Sequence, residues 1–223
     1  WQLERYIRQY QLRIPVEEME EASSRLSDLL EEIMMCENLD QLMGYEGSSQ
    51  AIYFGKWDHM ILNQKEAFYF HGRNKRPPED RVNSLLSFAY TLLSNDITAA
   101  LETVGLDPYV GFMHQDRPGR VSLSNDLIEE LRTPIADRFV LSLINLQQIH
   151  EDDFEINENK SVLIKDNARR TFISEWQKNK QVEIMHPYLD EKISWGLVPY
   201  AQAILLARYL RGDIDQYPTF FWK

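Results

Sequence analysis

The stretch from Gly111 to Arg132 contains the residue types that bind a hard metal ion. His114 ends an apolar run, and a helix is predicted to begin a few residues later, at Ser122 or Ser124. The carboxylates near the start of this helix are Asp126, Glu129 and Glu130. Residues three or four apart share a helix face, with Cβ atoms about 5–6 Å apart. One imidazole beside such carboxylates is a mixed nitrogen and oxygen ligand set that suits Mg²⁺ or Mn²⁺.

Two other acids need an interpretation of their own. Glu46 lies between Gly44 and Gly47, which keep its surroundings uncrowded and let a ligand or another backbone approach. Taken alone, Glu46 is better described as an exposed glutamate favoured by a helix dipole, which is the commoner case. Glu102 lies near the end of a predicted helix and is interpreted as an exposed helix acid outside any site.

The charge distribution gives opposing indications about a nucleic-acid partner. The net charge is −11, which by itself argues against DNA binding. The first 50 residues hold 11 acids and 4 bases, whereas the other 173 hold 24 acids and 20 bases. Basic groups in the later part are either solvated faces or a phosphate track. The residues of that possible track are Arg73, Lys75, Arg76, Arg117, Arg120 and Lys165.

Hydrophobic periodicity predicts a mainly α fold with one minor β-hairpin. Helical apolar spacing runs from Val16 to Ile33 and from Arg81 to Thr103. Asn38 is predicted to cap a short helix that ends at Gly44. The hairpin is predicted from alternation in 154–156 and 162–164, and further helices over 166–180 and 199–211. Hydrophobic residues make up 43% of the chain, yet no run of about 18 apolar residues predicts a membrane span.

Six segments in this order resemble one known family. They are GYEGSSQAIYF, RNKRPPEDRVNSLLSFAYTLL, GLDPYVGFMH, DRPGR, SLSNDLIEELR and DRFVLSLIN. The chain resembles the integrase/endonuclease of CRISPR spacer acquisition, the first of the core CRISPR-associated proteins, and its DRPGR segment is most similar to the type I-C branch. The resemblance implies that Glu46, His114 and Glu129 hold a catalytic Mg²⁺ or Mn²⁺ ion. Asp126 matches a further acid of the same helix, and it could hold a second ion, orient water or hydrogen-bond to His114.

The resemblance also implies a domain arrangement. Members of the family carry an N-terminal β domain that pairs two subunits, and this domain is not found in the sequence. Residues 1–14 are therefore expected to be a linker helix, and residues 15–223 a helical metal-dependent catalytic domain. We expect a homodimer for the intact protein, whereas this chain alone is expected to be monomeric.

The implied activity is metal-dependent phosphoryl transfer on DNA, which inserts new spacers into a CRISPR array in the cytoplasm of a prokaryote. The implied partners are branched or duplex DNA, the small second CRISPR-associated protein and a nuclease that trims the spacer precursor. One alternative is a helical protein-interaction module without chemistry, which explains the negative charge better. Another is a structural metal site, although structural zinc sites favour cysteine and this chain has only Cys36.

Overall fold

The computed structural model describes residues 1–74, 77–115 and 117–222, and within them the fold is mainly α, as predicted. The α-helices are α1 (Gln2–Tyr10), α2 (Val16–Met34), α3 (Leu39–Gly55), α4 (Arg81–Thr103), α5 (Ser122–Leu131), α6 (Arg138–Asn145), α7 (Asp166–Lys180) and α8 (Val198–Leu210). The strands are β1 (Phe154–Ile156), β2 (Val162–Ile164), β3 (Glu183–Met185) and β4 (Lys192–Ser194). No helix in these ranges is long and apolar enough to cross a bilayer.

The chain divides into two compact units. The first consists of Trp1–Leu85 and Leu141–Lys165, and the second of Leu86–Val140 and the described residues from Asp166 onward. Two of the unit boundaries fall within α4 and α6, and the third lies between β2 and α7. His114, Asp126 and Glu129 belong to the second unit, and Glu46 belongs to the first.

The first unit contains α1, α2, α3 and the predicted hairpin. α2 buries Met19, Ala22 and Leu29 completely or nearly so, while most of its glutamates face solvent. The β1–β2 hairpin is antiparallel and pairs Phe154 with Ile164. Its Phe154 ring lies 5.8 Å from that of Phe68. Burial of these apolar faces explains why the helical and alternating patterns of the sequence predict these elements correctly.

The prediction for the Asn38 helix is correct at its start and wrong at its end. The Asn38 side chain accepts a hydrogen bond from the Gln41 backbone N–H at 3.0 Å, which caps α3. The helix then continues through Gly44 and Gly47 to Gly55. A glycine weakens a helix interior by roughly 0.5–1 kcal/mol, and the residues that follow are helix-competent and partly buried. A glycine inside such a run is therefore not enough to end the helix.

This placement predicts that Gly44→Ala stabilises the protein. A Cβ atom at Gly44 would meet no atom of the described residues within 4 Å outside its own helix backbone. The substitution should therefore raise the free energy of unfolding by about 0.5–1 kcal/mol through reduced freedom of the unfolded chain. Urea denaturation measures the change. Gly105→Ala is the control with the opposite sign, because Gly105 has a φ of +82°. A loss of stability in Gly44→Ala would contradict the helical placement.

The second unit contains α5, α7, α8 and most of α4, and an aromatic cluster lies in its core. The Phe139 ring lies 5.1 Å from both Phe172 and Trp176, in edge-to-face arrangements. Leu93 and Ile97 of α4 are buried, as the apolar stripe of that helix predicts. α4 and α5 are joined by a hydrogen bond of 2.8 Å between the hydroxyls of their Thr98 and Ser124.

A second hairpin, β3–β4, is present where the sequence analysis predicts none. Glu183 pairs with Ser194, and Met185 with Lys192. Each strand is only three residues long, which is too short for alternation to be visible in the sequence. The prediction of one hairpin therefore undercounts the strands, while the mainly α class is confirmed.

Candidate metal centre

The loop between α4 and α5 brings His114 to the start of α5. α4 ends in a Schellman motif, in which the N–H of Leu106 donates to the Leu101 carbonyl at 3.0 Å and Gly105 takes a φ of +82°. The chain then folds back, and the Leu123 N–H donates to the Pro108 carbonyl at 3.0 Å. α5 begins at Ser122, one of the two predicted starts, but its N-cap residue is Val121 and not a serine, and the Val121 side chain makes no capping hydrogen bond. The Ser122 hydroxyl instead donates to the Gln115 carbonyl at 3.3 Å.

Asp126 is the anchor of this loop. One oxygen, Oδ2, accepts from the backbone N–H groups of Phe112 at 2.6 Å and Met113 at 3.2 Å. The other oxygen, Oδ1, accepts from the backbone N–H of His114 at 2.9 Å and lies 2.7 Å from its Nδ1 atom. The Asp126 side chain is completely buried. Four hydrogen bonds balance the cost of burying this carboxylate, and both oxygens are used in holding the loop.

The Asp126 contact decides how the His114 ring is presented. In a neutral imidazole, Nδ1–H donates to Asp126 Oδ1, and the lone pair is then on Nε2. A carboxylate that orients a histidine in this way is the usual outer partner of a metal-bound imidazole. The His114 side chain is 19% exposed, so its ring is accessible. Of the three roles that the sequence leaves open for Asp126, the hydrogen bond to His114 is present.

Gly111 makes this close packing possible, which the sequence analysis did not identify. A Cβ atom at this position would lie 2.7 Å from the Ser122 Cβ, and 2.9 Å from both Asp126 Oδ2 and the His114 carbonyl oxygen. These distances are shorter than real Cβ contacts, so no larger residue fits without displacing the loop or α5. The signal available in the sequence was the glycine three residues before a histidine.

Glu129 forms an ion pair that the sequence analysis also missed. Arg132, three residues later, places Nη2 at 2.9 Å from Glu129 Oε2 and Nη1 at 3.3 Å from Oε1. The Glu129 side chain is 24% exposed.

Arg132 begins a π-helical turn, Arg132–Asp137, that contains Pro134 and connects α5 to α6. Proline removes one backbone donor and crowds the preceding turn, which the wider π turn accommodates. Pro134 therefore interrupts the α-helical geometry between α5 and α6 without breaking the helical segment.

Glu46 lies on α3, where it accepts a hydrogen bond from the Gln50 side chain one turn later. It is half-buried. Among the residues that the structure describes, no group of three or more His, Cys, Asp or Glu side chains is arranged to hold a metal. The structure thus brings His114 and Asp126 together, with Glu129 on the same helix. The convergence of Glu46, His114 and Glu129 stays a prediction.

The residues predicted to bind DNA differ in how they are placed. Arg73 is half-buried and donates to the Asn83 side chain and, at 3.1 Å, to the Asn74 carbonyl. Lys165 is exposed and donates to the Asp152 carbonyl at 2.7 Å. Arg117 is exposed and Arg120 half-buried, both in the loop that follows His114. Lys75 and Arg76 lie outside the described residues. The exposed Arg117 is therefore the best placed of the described set for a phosphate contact.

A buried histidine, His186, lies elsewhere in the second unit. Its Nδ1 accepts from the backbone N–H groups of Tyr188 at 3.3 Å and Leu189 at 3.2 Å. Its Nε2–H donates to the Gln202 side-chain oxygen at 3.2 Å. Burial lowers the pKa of His186, and both ring nitrogens are already used in the neutral form. This histidine is a core residue and not a ligand.

The lowered pKa of His186 predicts a loss of stability in acid. The unfolded chain takes up a proton near pH 6.5, whereas the folded ring resists it, so the stabilisation is present above that pH and lost as the pH falls below it. Thermal unfolding of wild type and His186→Gln between pH 5 and 7.5 should show a steeper acid decline in wild type. The difference between the two curves removes the contribution of Glu130, whose pKa is raised by burial. Parallel curves would contradict the assignment.

The fold and site together define a helical domain in which a carboxylate-oriented histidine precedes a helix that carries an ion-paired glutamate. The profile of the family described as CRISPR associated protein Cas1 matches residues 1–178. The chain belongs to this family.

Three of the similar proteins are informative. The CRISPR-associated endonuclease Cas1 1 of Chlorobaculum tepidum is 48% identical over 221 residues, which cover 99% of this chain and 64% of the relative. The structure of a casposase bound to integration product matches with a TM-score of 0.75 and 28% identity, over 85% of this chain and 52% of that one. A partial Cas6-RT-Cas1–Cas2 complex matches in fold, with a TM-score of 0.81 and 23% identity, over 100% of this chain and 64% of that one. The chain thus spans somewhat less than two thirds of the Chlorobaculum relative.

Proposed function

We propose that this chain is the catalytic part of a metal-dependent DNA endonuclease/integrase that inserts spacers into a CRISPR array. The observation that supports this most directly is the buried Asp126 carboxylate, which orients the accessible His114 ring with Nε2 as the available ligand atom. The family membership supports the same assignment. The names of the relative and of the casposase structure agree with a nuclease or integrase.

The donor chemistry of the site fits a hard dication. His114 through Nε2, Glu129 and Glu46 are the residues that would hold Mg²⁺ or Mn²⁺. When bound, such an ion supplies charge stabilisation at the non-bridging oxygens of the scissile phosphodiester. Asp126 has both oxygens committed to the loop and the imidazole, so its role in this proposal is to fix the His114 tautomer.

The arginines near the site have two proposed roles, which are to pair with Glu129 and to bind the DNA backbone. Arg132 pairs with Glu129, which keeps the carboxylate directed and partly neutralised when no other cation faces it. Arg117 and Arg120, in the loop after His114, are proposed to contact the DNA backbone, where they would position the strand without reading its sequence. The attacking group is a DNA 3′-hydroxyl in integration and water in hydrolysis.

The partners of the whole protein follow from the same assignment. We propose branched or duplex DNA as substrate and the second CRISPR-associated protein as partner, in the cytoplasm of a prokaryote. The fold match to a structure named as a complex with Cas2 agrees with the proposed protein partner. A spacer-trimming nuclease, a type I-C system and a homodimer of the intact protein are finer proposals that rest on the segments quoted above.

The proposal is tested by strand transfer with the full-length protein, its small partner and branched DNA ending in a 3′-hydroxyl. Products should appear with Mn²⁺ or Mg²⁺ and disappear when EDTA is added. Binding of the DNA itself should persist in EDTA and weaken with salt, because phosphate contacts release counterions. A protein that binds its partner but shows no metal-dependent chemistry on any of these substrates would favour the alternative of an interaction module.

A further inference from the structure

The carboxylate of Glu130 is the meeting point of a buried hydrogen-bond network at the C-terminal end of α5. It accepts from the Tyr217 hydroxyl, from the backbone N–H of Phe220 at 2.9 Å and from the Gln202 side-chain amide at 3.2 and 3.3 Å. Gln202 is fully buried, and His186 fixes its orientation from the other side. Two of these donors belong to the C-terminal segment Tyr217–Trp222.

That segment is docked at a second point by aromatic contacts. Phe220 is 3% exposed, and its ring lies 5.9 Å from Trp195. Trp222 contacts the Trp195 ring at 4.7 Å in an edge-to-face arrangement. Arg138, the first residue of α6, places its guanidinium 4.9 Å from Trp222 and 5.6 Å from Trp195. The C-terminal segment therefore joins the end of α5 to the start of α6.

Two carboxylates on one face of α5 thus hold two different parts of the chain. Asp126 and Glu130 are four residues apart and lie on the same face of the helix. Asp126 holds the loop that contains His114, and Glu130 holds the C-terminal segment. Glu129 is turned by about 100° from Glu130, on the more exposed side with Arg132.

We propose that Tyr217 and Glu130 are positioning residues, which fix the rotation of the last turn of α5 and thereby the direction of Glu129. Arg132 is on the same continuous helical segment as Glu129, so their ion pair orients the carboxylate relative to the helix only. The contact of Glu130 with the C-terminal segment fixes the turn itself relative to the rest of the second unit. This inference rests on the proposed role of Glu129 as a metal ligand.

The test uses Tyr217→Phe in the full-length protein, which removes the hydroxyl that donates to Glu130 and keeps the ring. Hydrogen exchange of the α5 amides should accelerate in the turn around Glu129 and remain unchanged near Asp126. Mn²⁺ affinity, measured by titration calorimetry, should fall about tenfold, the scale typical of a lost outer partner. Tyr209→Phe, on α8 with an exposed ring, is the matched control and should change neither measurement.

A second control separates positioning from general destabilisation. Phe54→Leu lowers the melting temperature through the core of the first unit, where Phe54 is buried, and should leave the exchange of α5 unchanged. The positioning role would be overturned if the α5 turn of Tyr217→Phe exchanged its amides as slowly as wild type does. It would also be overturned if wild type bound Mn²⁺ and Tyr217→Phe bound it with the same affinity. Wild type that binds no Mn²⁺ would instead overturn the proposed metal site, while the exchange result would still report on the contact itself.

Discussion

His114→Ala is expected to abolish metal-dependent strand transfer, with a loss of at least about 100-fold. The substitution removes the only nitrogen ligand of the proposed site and leaves Asp126 without its side-chain partner. Asp126→Asn should lower metal affinity or activity by about 10–100-fold, because an amide cannot accept from all four donors and does not hold the same imidazole tautomer. Strand-transfer rates and Mn²⁺ titrations measure both effects.

Two further variants, one on α5 and one on α4, test which acids belong to the site. Glu129→Ala should behave like His114→Ala, with helical content by circular dichroism preserved in both. Glu102→Ala should be close to wild type, because Glu102 is an exposed acid at the end of α4. Full activity in Glu129→Ala, or a loss confined to Glu102→Ala, would show that the wrong acid is assigned to the site.

Gly111→Ala is expected to damage both stability and activity although it adds a single methyl group. The new Cβ would overlap the Ser122 side chain, the Asp126 carboxylate and the His114 backbone. Overpacking of this kind costs about 1–3 kcal/mol, and relief requires the loop to move away from Asp126. We therefore expect a lower melting temperature together with a loss of strand transfer comparable to that of Asp126→Asn.

Gly55→Ala is the matched control for the added methyl group, because a Cβ at Gly55 would meet no atom of the described residues within 4 Å outside its own helix backbone. Its stability and activity should be near wild type. If Gly111→Ala retained full activity and stability, the loop would have an alternative position that keeps His114 oriented, and the proposed dependence on close packing would be wrong.

The sequence predicts most of the fold because the long helices have strong apolar periodicity. α2, α4 and α7 lie within a residue or two of their predicted bounds. The errors are local and have identifiable causes. Gly44 and Gly47 do not end α3, which continues beyond them, and the strands of β3–β4 are too short to show alternation.

The site is less predictable because its contacts join residues distant in sequence. That Asp126 and Glu129 share one helix follows from spacing alone. The hydrogen bond from His114 to Asp126 depends on a 12-residue fold-back of the chain, which spacing allows without requiring it. The contact between Glu130 and Tyr217 spans 87 residues, and no local pattern of the sequence pairs these two residues.

The pairing of Trp195 with Trp222 also gives the molecule an optical signal of its own. Of the five tryptophans, these two lie edge to face at 4.7 Å with one guanidinium close to both rings. A fixed, asymmetric pair of indoles is strongly chiral in the near ultraviolet, whereas a released Trp222 would tumble and contribute little. Near-ultraviolet circular dichroism therefore measures, without a label and in the presence of DNA or metal, whether the C-terminal segment is packed against Trp195.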